Sequence, residues 1–373
     1  MTRLQYRSIG ELVINLDRKR VPVKASDRHA GPYPYYGASG VVDYVDEYLF
    51  EGLHLLVAED GENLRSRNTP IAFLADGRFW VNNHAHVLRG NDDNDTRYLS
   101  YALEASDISG YVTGSAQPKL SQASLAAIQV PVPPLSEQRA IAATLGTLDD
   151  KIESNRRAIA FIFDLIDAHS EKLGGEFPIA PLGTIAISFK ESVNPSKLGD
   201  AVVEHFSLPA FDSGARPERV AASTIMSNKL RVPQCAILLS RLNPRFNRTW
   251  WVSGASEVPA LASTEFLVVT AENELELAAV WLALRDPFFR EELPKRVTGT
   301  SGSHQRVRPD DVLAIEVPDF RSVAPEVKKS TLALLMRAER LRVESERLTA
   351  LHSVLLPELL SGRIRIPNEE ATS

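Results

Sequence analysis

Two runs of hydrophobic positions that repeat every seven residues dominate the pattern along this chain. The first run begins after Ser136 and ends at Gly174, and the second begins after Pro325 and meets Pro357. A sustained alternation of three and four residues predicts a long helix that packs along a seam. The predicted seam residues are Leu145, Ile152, Ile159, Ile166 and Leu173 in the first helix, and Leu334, Leu341, Leu348 and Leu355 in the second.

The segment that precedes each helix carries a repeated pattern. Val112-Thr113-Gly114-Ser115 and the apolar run Leu125–Pro131 have counterparts in Val297-Thr298-Gly299-Thr300 and Val312–Pro318, about 185 residues later. Large seam residues in the first helix complement the alternating Ala338, Ser345 and His352 of the second. We therefore predict an antiparallel pair of helices within one chain, with two similar globular units.

Gly, Pro, Asn and Asp residues between the apolar runs of the remaining sequence predict turns, and so mixed α and β structure in both units. We expect strands at 53–58, 71–75, 79–81, 128–132, 236–239, 266–270 and 312–317, and helices at 96–105 and 274–285. The predicted fold class is α+β, with two α/β domains separated by two long helices that form an antiparallel coiled coil. The predicted boundaries are 1–134 for domain 1, 135–174 for the central helix, 175–323 for domain 2, 324–360 for the C-terminal helix and 361–373 for a tail.

Charge is segregated along the chain. The 42 Lys and Arg against 48 Asp and Glu give a formal net charge of −6, which disfavours a simple nucleic-acid binder. Residues 43–64 are acidic without any Lys or Arg, whereas residues 216–248 carry seven basic residues against Glu218. This asymmetry predicts a basic surface on the second domain, and scattered solvated charge is the alternative.

The single cysteine, Cys235, excludes a disulfide framework or a cysteine zinc site within the chain. The first residues lack the apolar core of a signal peptide, and no apolar run approaches membrane-spanning length. We therefore expect a cytoplasmic protein that does not enter a membrane.

Several strings, taken together and in order, are similar to one known family. They are 32–40 (PYPYYGASG), 59–64 (EDGENL), 79–88 (FWVNNHAHVL), 132–138 (VPPLSEQ), 148–152 (LDDKI), 239–244 (LSRLNP), 298–307 (TGTSGSHQRV) and 355–362 (LLPELLSG). The chain resembles the DNA-specificity (S) subunit of type I restriction-modification systems over nearly its whole length.

This resemblance implies two target-recognition domains that each read part of an asymmetric, bipartite double-stranded DNA target. It implies two methyltransferase (M) subunits as partners, and restriction/translocase (R) subunits where they exist. S-adenosylmethionine, ATP and Mg²⁺ are then expected only in those partners, so we expect no cofactor, no metal and no catalytic residue in this chain. The same module in a methylation-only or other phage-defence complex is the near alternative, and a coiled-coil scaffold that binds protein is the distant one.

Base edges are read mainly by Arg, Lys, Asn and Gln, so loops rich in these residues are the candidate DNA contacts. We favour the two loops that follow the repeated Val-Thr-Gly, for which an ordinary turn is the alternative. The tyrosines are expected to pack a turn more than to touch DNA, and the two histidines lack a third metal ligand. The candidate residues are Tyr35, Tyr36, Asn82, Asn83, His84, His86, Gly114, Ser115, Gln117, Lys119, Arg241, Asn243, Arg245, Arg248, Ser303, His304, Gln305 and Arg306.

Overall fold

The computed structural model describes residues 5–254, 257–297 and 305–366. Its contacts divide the chain into two units. Unit 1 comprises the described residues of Met1–Ile152 and Arg347–Ser373, and unit 2 comprises those of Glu153–Glu346. Each unit contains one α/β domain and part of each of two long helices.

Unit 1 begins with short strands and helices. Its strands are β1 (Gln5–Ser8), β2 (Val13–Asn15), β3 (Ala30–Gly37), β4 (Gly40–Val45), β5 (Phe50–Glu51), β6 (His54–Ala58), β7 (Ala72–Ala75), β8 (Arg78–Val81), β9 (Ala85–Gly90) and β10 (Gln129–Val132). Its helices are α1 (Ile9–Leu12), α2 (Asn63–Ser66), α3 (Thr96–Glu104), α4 (Gln122–Ala127) and the first part of α5 (Leu135–Gly174).

Three sheets organise the domain of unit 1. Strand β1 pairs with β10, a second sheet has the order β2-β9-β6-β7, and a third has the order β4-β3-β8-β5. All five residues of β6 are buried, because this strand lies inside its sheet with both faces covered. Strand β6 therefore supplies a rigid base for the residues that follow Ala58.

Unit 2 has a related set of elements. Its strands are β11 (Ile179–Pro181), β12 (Ile187–Phe189), β13 (Ser192–Val193), β14 (Val202–Phe206), β15 (Glu218–Ala221), β16 (Lys229–Arg231), β17 (Cys235–Ser240), β18 (Thr249–Ser253), β19 (Ala260–Ala262), β20 (Phe266–Thr270) and β21 (Glu316–Pro318). Its helices are α6 (Leu182–Ile185), α7 (Leu208–Asp212), α8 (Glu274–Arg285), α9 (Pro287–Glu292), α10 (Pro309–Leu313) and part of α11 (Pro325–Leu360).

The repeat found in the sequence is also present in the strand topology. Strand β11 pairs with β21 as β1 does with β10, and the order β12-β20-β17-β18 matches β2-β9-β6-β7. The third sheet differs, because unit 2 has the five-stranded order β13-β16-β19-β14-β15 in place of four strands. The two units therefore share a frame and differ in what is attached to it.

The long helices α5 and α11 pack antiparallel, which confirms the predicted fold class. In unit 1, Ile141 and Leu145 share a core with Leu359 and Leu360. In unit 2, Ile162 and Ile166 share a core with residues of α11 that include Ala338 and Leu341. Burying these apolar side chains stabilises each pair of helices by about 25 cal/mol for each Å² removed from water.

The seam lies close to its predicted place. Four predicted seam residues are buried, namely Leu145, Ile152, Ile166 and Leu341. The others are half-buried, namely Ile159, Leu173, Leu334, Leu348 and Leu355. Leu335, which was not predicted, is buried beside the half-buried Leu334. Asn155 is also buried, and its Nδ2 donates to Ser345 Oγ at 3.2 Å and to Glu344 Oε2 at 3.0 Å.

One predicted strand is wrong in part. Residues 312–317 were expected to be extended, but helix α10 covers Pro309–Leu313 and only Glu316–Pro318 form a strand. Pro309 stands in the first turn of that helix, where its missing N–H costs nothing and its fixed φ suits the helix. None of the described helices combines the length and apolar content needed to cross a bilayer. Cys235, at the start of β17, is a half-buried free thiol.

Candidate nucleic-acid interface

In unit 1 the segment from Thr113 to Lys119 forms a closed loop. The backbone N–H of each of these two residues donates to the carbonyl oxygen of the other, both at 2.8 Å. Gly114 has φ of +86°, and a Cβ there would lie 2.2 Å from the carbonyl oxygen of Gln117. The turn therefore requires glycine at this position. Gly114, Ser115, Gln117 and Lys119 are all exposed, as residues that bind a ligand must be.

This loop is attached to the segment that follows β6. Gly61 N–H donates to the carbonyl oxygen of Pro118 at 3.1 Å, and Leu120 N–H donates to that of Glu59 at 2.8 Å. Arg65, in α2, donates to the carbonyl oxygens of Gly114 and Ser115. The loop is thus fixed at its base by backbone pairing and at its tip by a guanidinium.

The same attachment occurs in unit 2, after the equivalent strand β17. Asn243 N–H donates to the carbonyl oxygen of Gln305 at 2.8 Å, and Val307 N–H donates to that of Arg241 at 3.0 Å. Val307 and Leu120, at equivalent positions, are both fully buried. Ser303 and His304 lie outside the described residues. We call these two attachments, 59–61 with 118–120 and 241–243 with 305–307, the loop anchors.

A cation stands at the same position in both anchors. Lys119 Nζ lies 3.2 Å from Glu59 Oε1. Arg306 pairs with Glu265 at 2.7 Å, and this carboxylate raises the pKa of the guanidinium. Both side chains are about half exposed, 54% for Lys119 and 47% for Arg306, so they remain open to a phosphate or a base edge.

A buried polar chain supports the anchor of unit 1. His86 is 1% exposed, and its Nδ1 lies 2.6 Å from Asp17 Oδ2 while its Nε2 lies 2.8 Å from the carbonyl oxygen of Leu120. Each ring nitrogen thus has a buried oxygen within hydrogen-bond distance. Burial alone would raise the pKa of Asp17, but the hydrogen bond from His86 and its charge hold that pKa below its ordinary value.

His86 is therefore a supporting residue and not a DNA contact, and its prediction as a contact is corrected. The carboxylate of Glu59 continues the same chain, because Arg20 Nη1 donates to it at 2.7 Å. Burial would raise the pKa of Glu59 as well, but Arg20, His86 and Lys119 hold it below its ordinary value. The anchor of unit 1 is thus built on ionised, mutually bonded groups.

The turn 82–84 contains three other predicted DNA contacts of unit 1, and they differ in exposure. Asn82 is buried, and its Oδ1 accepts the N–H of His84 at 2.7 Å, so it shapes the turn and has little surface for DNA. Asn83 is exposed. His84 is half exposed, and its Nδ1 lies 2.8 Å from Asp60 Oδ2, within the anchor. Asn83 and His84 therefore stay beside the loop as predicted contacts.

The tyrosines pack, as the sequence interpretation favoured. Tyr35 is 1% exposed, its hydroxyl accepts the N–H of Val23 at 3.1 Å, and Arg28 lies over its ring. It offers no surface to a ligand, so its prediction as a DNA contact is corrected. Tyr36 is half-buried against Phe73 and Phe79.

In unit 2 most of the basic residues that predicted a basic surface are already paired. Arg216, Arg219, Arg231 and Arg248 each face a carboxylate, namely Glu346, Glu204, Glu191 and Asp212 respectively. The predicted basic surface is therefore smaller than expected.

Arg241 also serves the fold rather than the surface. It donates to the carbonyl oxygens of Val307 and Thr264, and burial lowers its pKa. Arg245 is exposed and forms no ion pair with the described residues. Asn243 adopts the left-handed region with φ of +47°.

One residue beside these loops was not singled out from the sequence, namely Arg65, which follows the string 59–64. Phe246 lies within the Arg-rich segment 241–248, which the sequence indicates as a candidate reading loop. Arg65 carries no signal of its own, because its role depends on two carbonyl groups about 50 residues away. Among the described residues, no group of three His, Cys, Asp or Glu side chains is placed to hold a metal ion.

Comparison with known proteins gives a consistent result. Residues 2–162 match the family described as type I restriction modification DNA specificity domain. A type I restriction enzyme specificity subunit assigned in Haemophilus influenzae is 37% identical over 147 residues, which are 39% of this chain and 38% of that protein. The Escherichia coli EcoprrI specificity subunit is 29% identical over 120 residues, which are 31% of this chain and 28% of that protein. The matched segments thus span well under half of these relatives.

The second half of the chain is matched by fold. The crystal structure of the type I restriction-modification system S subunit from M. genitalium superposes with a TM-score of 0.61 and 15% sequence identity. The match covers 96% of this chain and 95% of that one. At this level of identity the likeness shows the fold alone.

Proposed function

We propose a function from the premise that this chain belongs to the family of DNA-specificity (S) subunits of type I restriction-modification systems. This family supplies specificity and not catalysis. We infer that each unit reads one part of an asymmetric, bipartite double-stranded DNA target. The chain would act in the cytoplasm, as part of a larger complex.

One observation carries this proposal: the same loop anchor occurs in both units with different side chains on it. Asp60, Gly61 and Pro118 in unit 1 stand where Leu242, Asn243 and Gln305 stand in unit 2. A shared frame with unlike side chains supports two readers of unlike sequences, because base identity is read by side-chain donors and acceptors. The retained cation, Lys119 or Arg306, fits a contact common to both readers.

The partners follow from the family and belong to the proposal. Two methyltransferase subunits would modify adenine with S-adenosylmethionine, and restriction subunits, where present, would use ATP and Mg²⁺. None of these three is assigned to this chain. A scaffold that binds only protein remains the contrasting outcome, supported by the net charge of −6.

The experiment is to map methylated adenines in cells that carry this chain with its methyltransferase subunits. We expect an asymmetric motif with an unread gap. Arg306→Ala should relax or abolish one half of the motif, and Lys119→Ala the other half. Arg231→Ala is the matched control, because Arg231 is a half-exposed arginine of unit 2 that pairs with Glu191, the residue before β13.

Each result has a distinct meaning. Equal weakening at every position would assign Arg306 and Lys119 to phosphate contacts. A motif without a gap would contradict the bipartite target. DNA affinity should fall steeply with the logarithm of salt concentration, and an affinity insensitive to salt would favour the scaffold.

A further inference from the structure

The turn Pro244–Phe246 in unit 2 displays an aromatic ring at the surface. Phe246 is 54% exposed, although Pro244 beside it is buried. An exposed apolar side chain is by itself ordinary in a folded protein. The surroundings of this ring are what distinguish it from Phe161, which is 68% exposed in the same unit.

The turn that carries Phe246 is held rigidly. The N–H of Phe246 donates to the carbonyl oxygen of Asn243 at 3.1 Å, and the N–H of Asn247 donates to the carbonyl oxygen of Pro244 at 2.9 Å. Asn243 and Asn247 both have φ of +47°, a conformation that asparagine tolerates better than most residues. Because Asn243 also donates to Gln305, the turn is fastened directly to the loop anchor of unit 2.

Two cations lie over the ring. The guanidinium carbons of Arg245 and Arg248 are 4.8 and 4.7 Å from its centroid. Arg248 cannot move away easily, because its Nε and Nη2 donate to the two carboxylate oxygens of Asp212 at 2.7 and 2.8 Å. Among the described residues, Phe161 has no guanidinium over its ring.

The guanidinium groups around Phe246 favour one mode of contact between its ring and DNA over another. Insertion between two stacked bases needs both faces of the ring, and a base on the face covered by Arg248 would have to displace a guanidinium that is tied to Asp212. Contact through the rim of the exposed ring needs no such displacement. The apolar feature that double-stranded DNA presents to such a rim is the C5-methyl group of thymine in the major groove, which is contacted by apolar side chains such as Phe.

We propose that Phe246 recognises a thymine methyl group and so specifies one A·T pair in the half-target read by unit 2, while Arg245 contacts the adjacent DNA. The inference rests on the proposed function. It adds a specificity-determining residue that acts by apolar contact instead of by hydrogen bonds. Gln305, on the same anchor, belongs to the residue type that pairs with adenine, which agrees with an A·T pair here.

The test uses the complex of this chain with its methyltransferase subunits and duplexes of the mapped target. Each thymine is replaced singly by deoxyuridine, which removes only the methyl group, and Kd is measured at one salt concentration. For the wild-type chain we expect one position at which deoxyuridine weakens binding about fourfold, the value of one buried methyl group.

Phe246→Ala should bring the ratio of the two Kd values at that position to about one, whereas Phe246→Leu should keep most of it. Phe161→Ala is the control and should leave the ratio unchanged, since any loss of partner binding cancels in a ratio of two duplexes. Wild-type binding that ignores every thymine methyl, or a ratio that survives Phe246→Ala, would overturn the inference while leaving the proposed function intact. A wild-type complex that binds no DNA would overturn both.

Discussion

Replacing Asp17 by asparagine tests the buried chain beneath the loop anchor of unit 1. Asp17 Oδ1 accepts the N–H of Val87 at 2.8 Å, and Oδ2 accepts from His86 at 2.6 Å and from Asn15 Nδ2 at 3.3 Å. Arg20 Nη2 lies 3.5 Å from the same oxygen. The asparagine amide keeps one carbonyl oxygen for Val87 but turns an NH₂ group towards Nδ1 of His86 and removes the carboxylate charge beside Arg20.

The expected cost follows from these contacts. The variant removes one member of a buried, hydrogen-bonded ion pair and leaves its partner unpaired, which costs about 3 kcal/mol. The opening equilibrium of this part of unit 1 should then rise by roughly a hundredfold. Because His86 also holds the carbonyl oxygen of Leu120, the loop 113–119 should lose rigidity together with β9.

Amide hydrogen exchange measured by mass spectrometry resolves this effect. We expect faster exchange in the segments 85–90 and 113–120 and unchanged exchange in unit 2. Asp43→Asn is the matched control, because its carboxylate pairs with Arg28 at the surface and should leave both segments unchanged. If Asp17→Asn shifts the exchange free energy by less than about 1 kcal/mol, the ion-pair reasoning is refuted.

Three further predictions address other parts of the chain. Gly114→Ala should distort the loop, because the added Cβ would lie 2.2 Å from the carbonyl oxygen of Gln117; DNA affinity should fall, whereas Gly110→Ala, which meets no atom within 4 Å, should bind as the wild type does. Asn155→Asp should place a second carboxylate where Nδ2 now lies 3.0 Å from Glu344 Oε2, lowering the free energy of unfolding of unit 2 at neutral pH by about 2 kcal/mol or more in urea titrations; a loss that is the same at pH 4 would argue against charge repulsion. The pKa values of Asp17 and Glu59 lie below their ordinary values. Their ionised carboxylates therefore stabilise the fold above the ordinary pKa values, and this stabilisation is lost as the pH falls below about 4. Opening of the segment 85–90, measured by amide exchange, should increase below that pH in the wild type and increase less in Asp17→Asn.

The long helices were predictable because their signal is local and repeated. Two unrelated core helices were the alternative, but core helices seldom keep a seven-residue period over so many turns. The observed bounds Leu135–Gly174 and Pro325–Leu360 lie where the pattern begins and ends. Four strands of the sheet shared by both units were also predicted, namely β6, β7, β17 and β20, since they are apolar runs between polar turns. The other strands of that sheet, β2, β9, β12 and β18, were not. The predicted elements are buried, so their side chains are apolar and the local sequence reveals them.

Apart from β8, which the predicted strand 79–81 matches, the strands of the third sheet in each unit were missed for identifiable reasons. Strand β13 has two residues, too few to show a period. Strand β3 contains Pro32 and Pro34, which normally argue against an inner strand, and register shifts beside Tyr33 and Tyr36 accommodate them. Such strands depend on partners distant in the sequence, so the local pattern cannot reveal them.

The candidate interface stays a prediction, and the structure describes only part of it. The loop that follows Val112-Thr113-Gly114 lies on its anchor, whereas 298–304, its counterpart in unit 2, lies outside the described residues. The polar residues near the loop anchors divide into supports, such as His86 and Arg241, and exposed groups, such as Lys119 and Arg245. Sequence composition does not separate these roles, because both require the same residue types and only burial distinguishes them.

The lone thiol offers a practical advantage for spectroscopy. Cys235 is half-buried at the head of β17, and burial raises the pKa of its thiol to about 11, so little thiolate is available to react with maleimide or iodoacetamide at neutral pH. A cysteine introduced at the exposed position Gln117 would carry a fluorophore with little background labelling. Fluorescence from that dye would then report the docking of nucleic acid in real time, without rebuilding the rest of the chain.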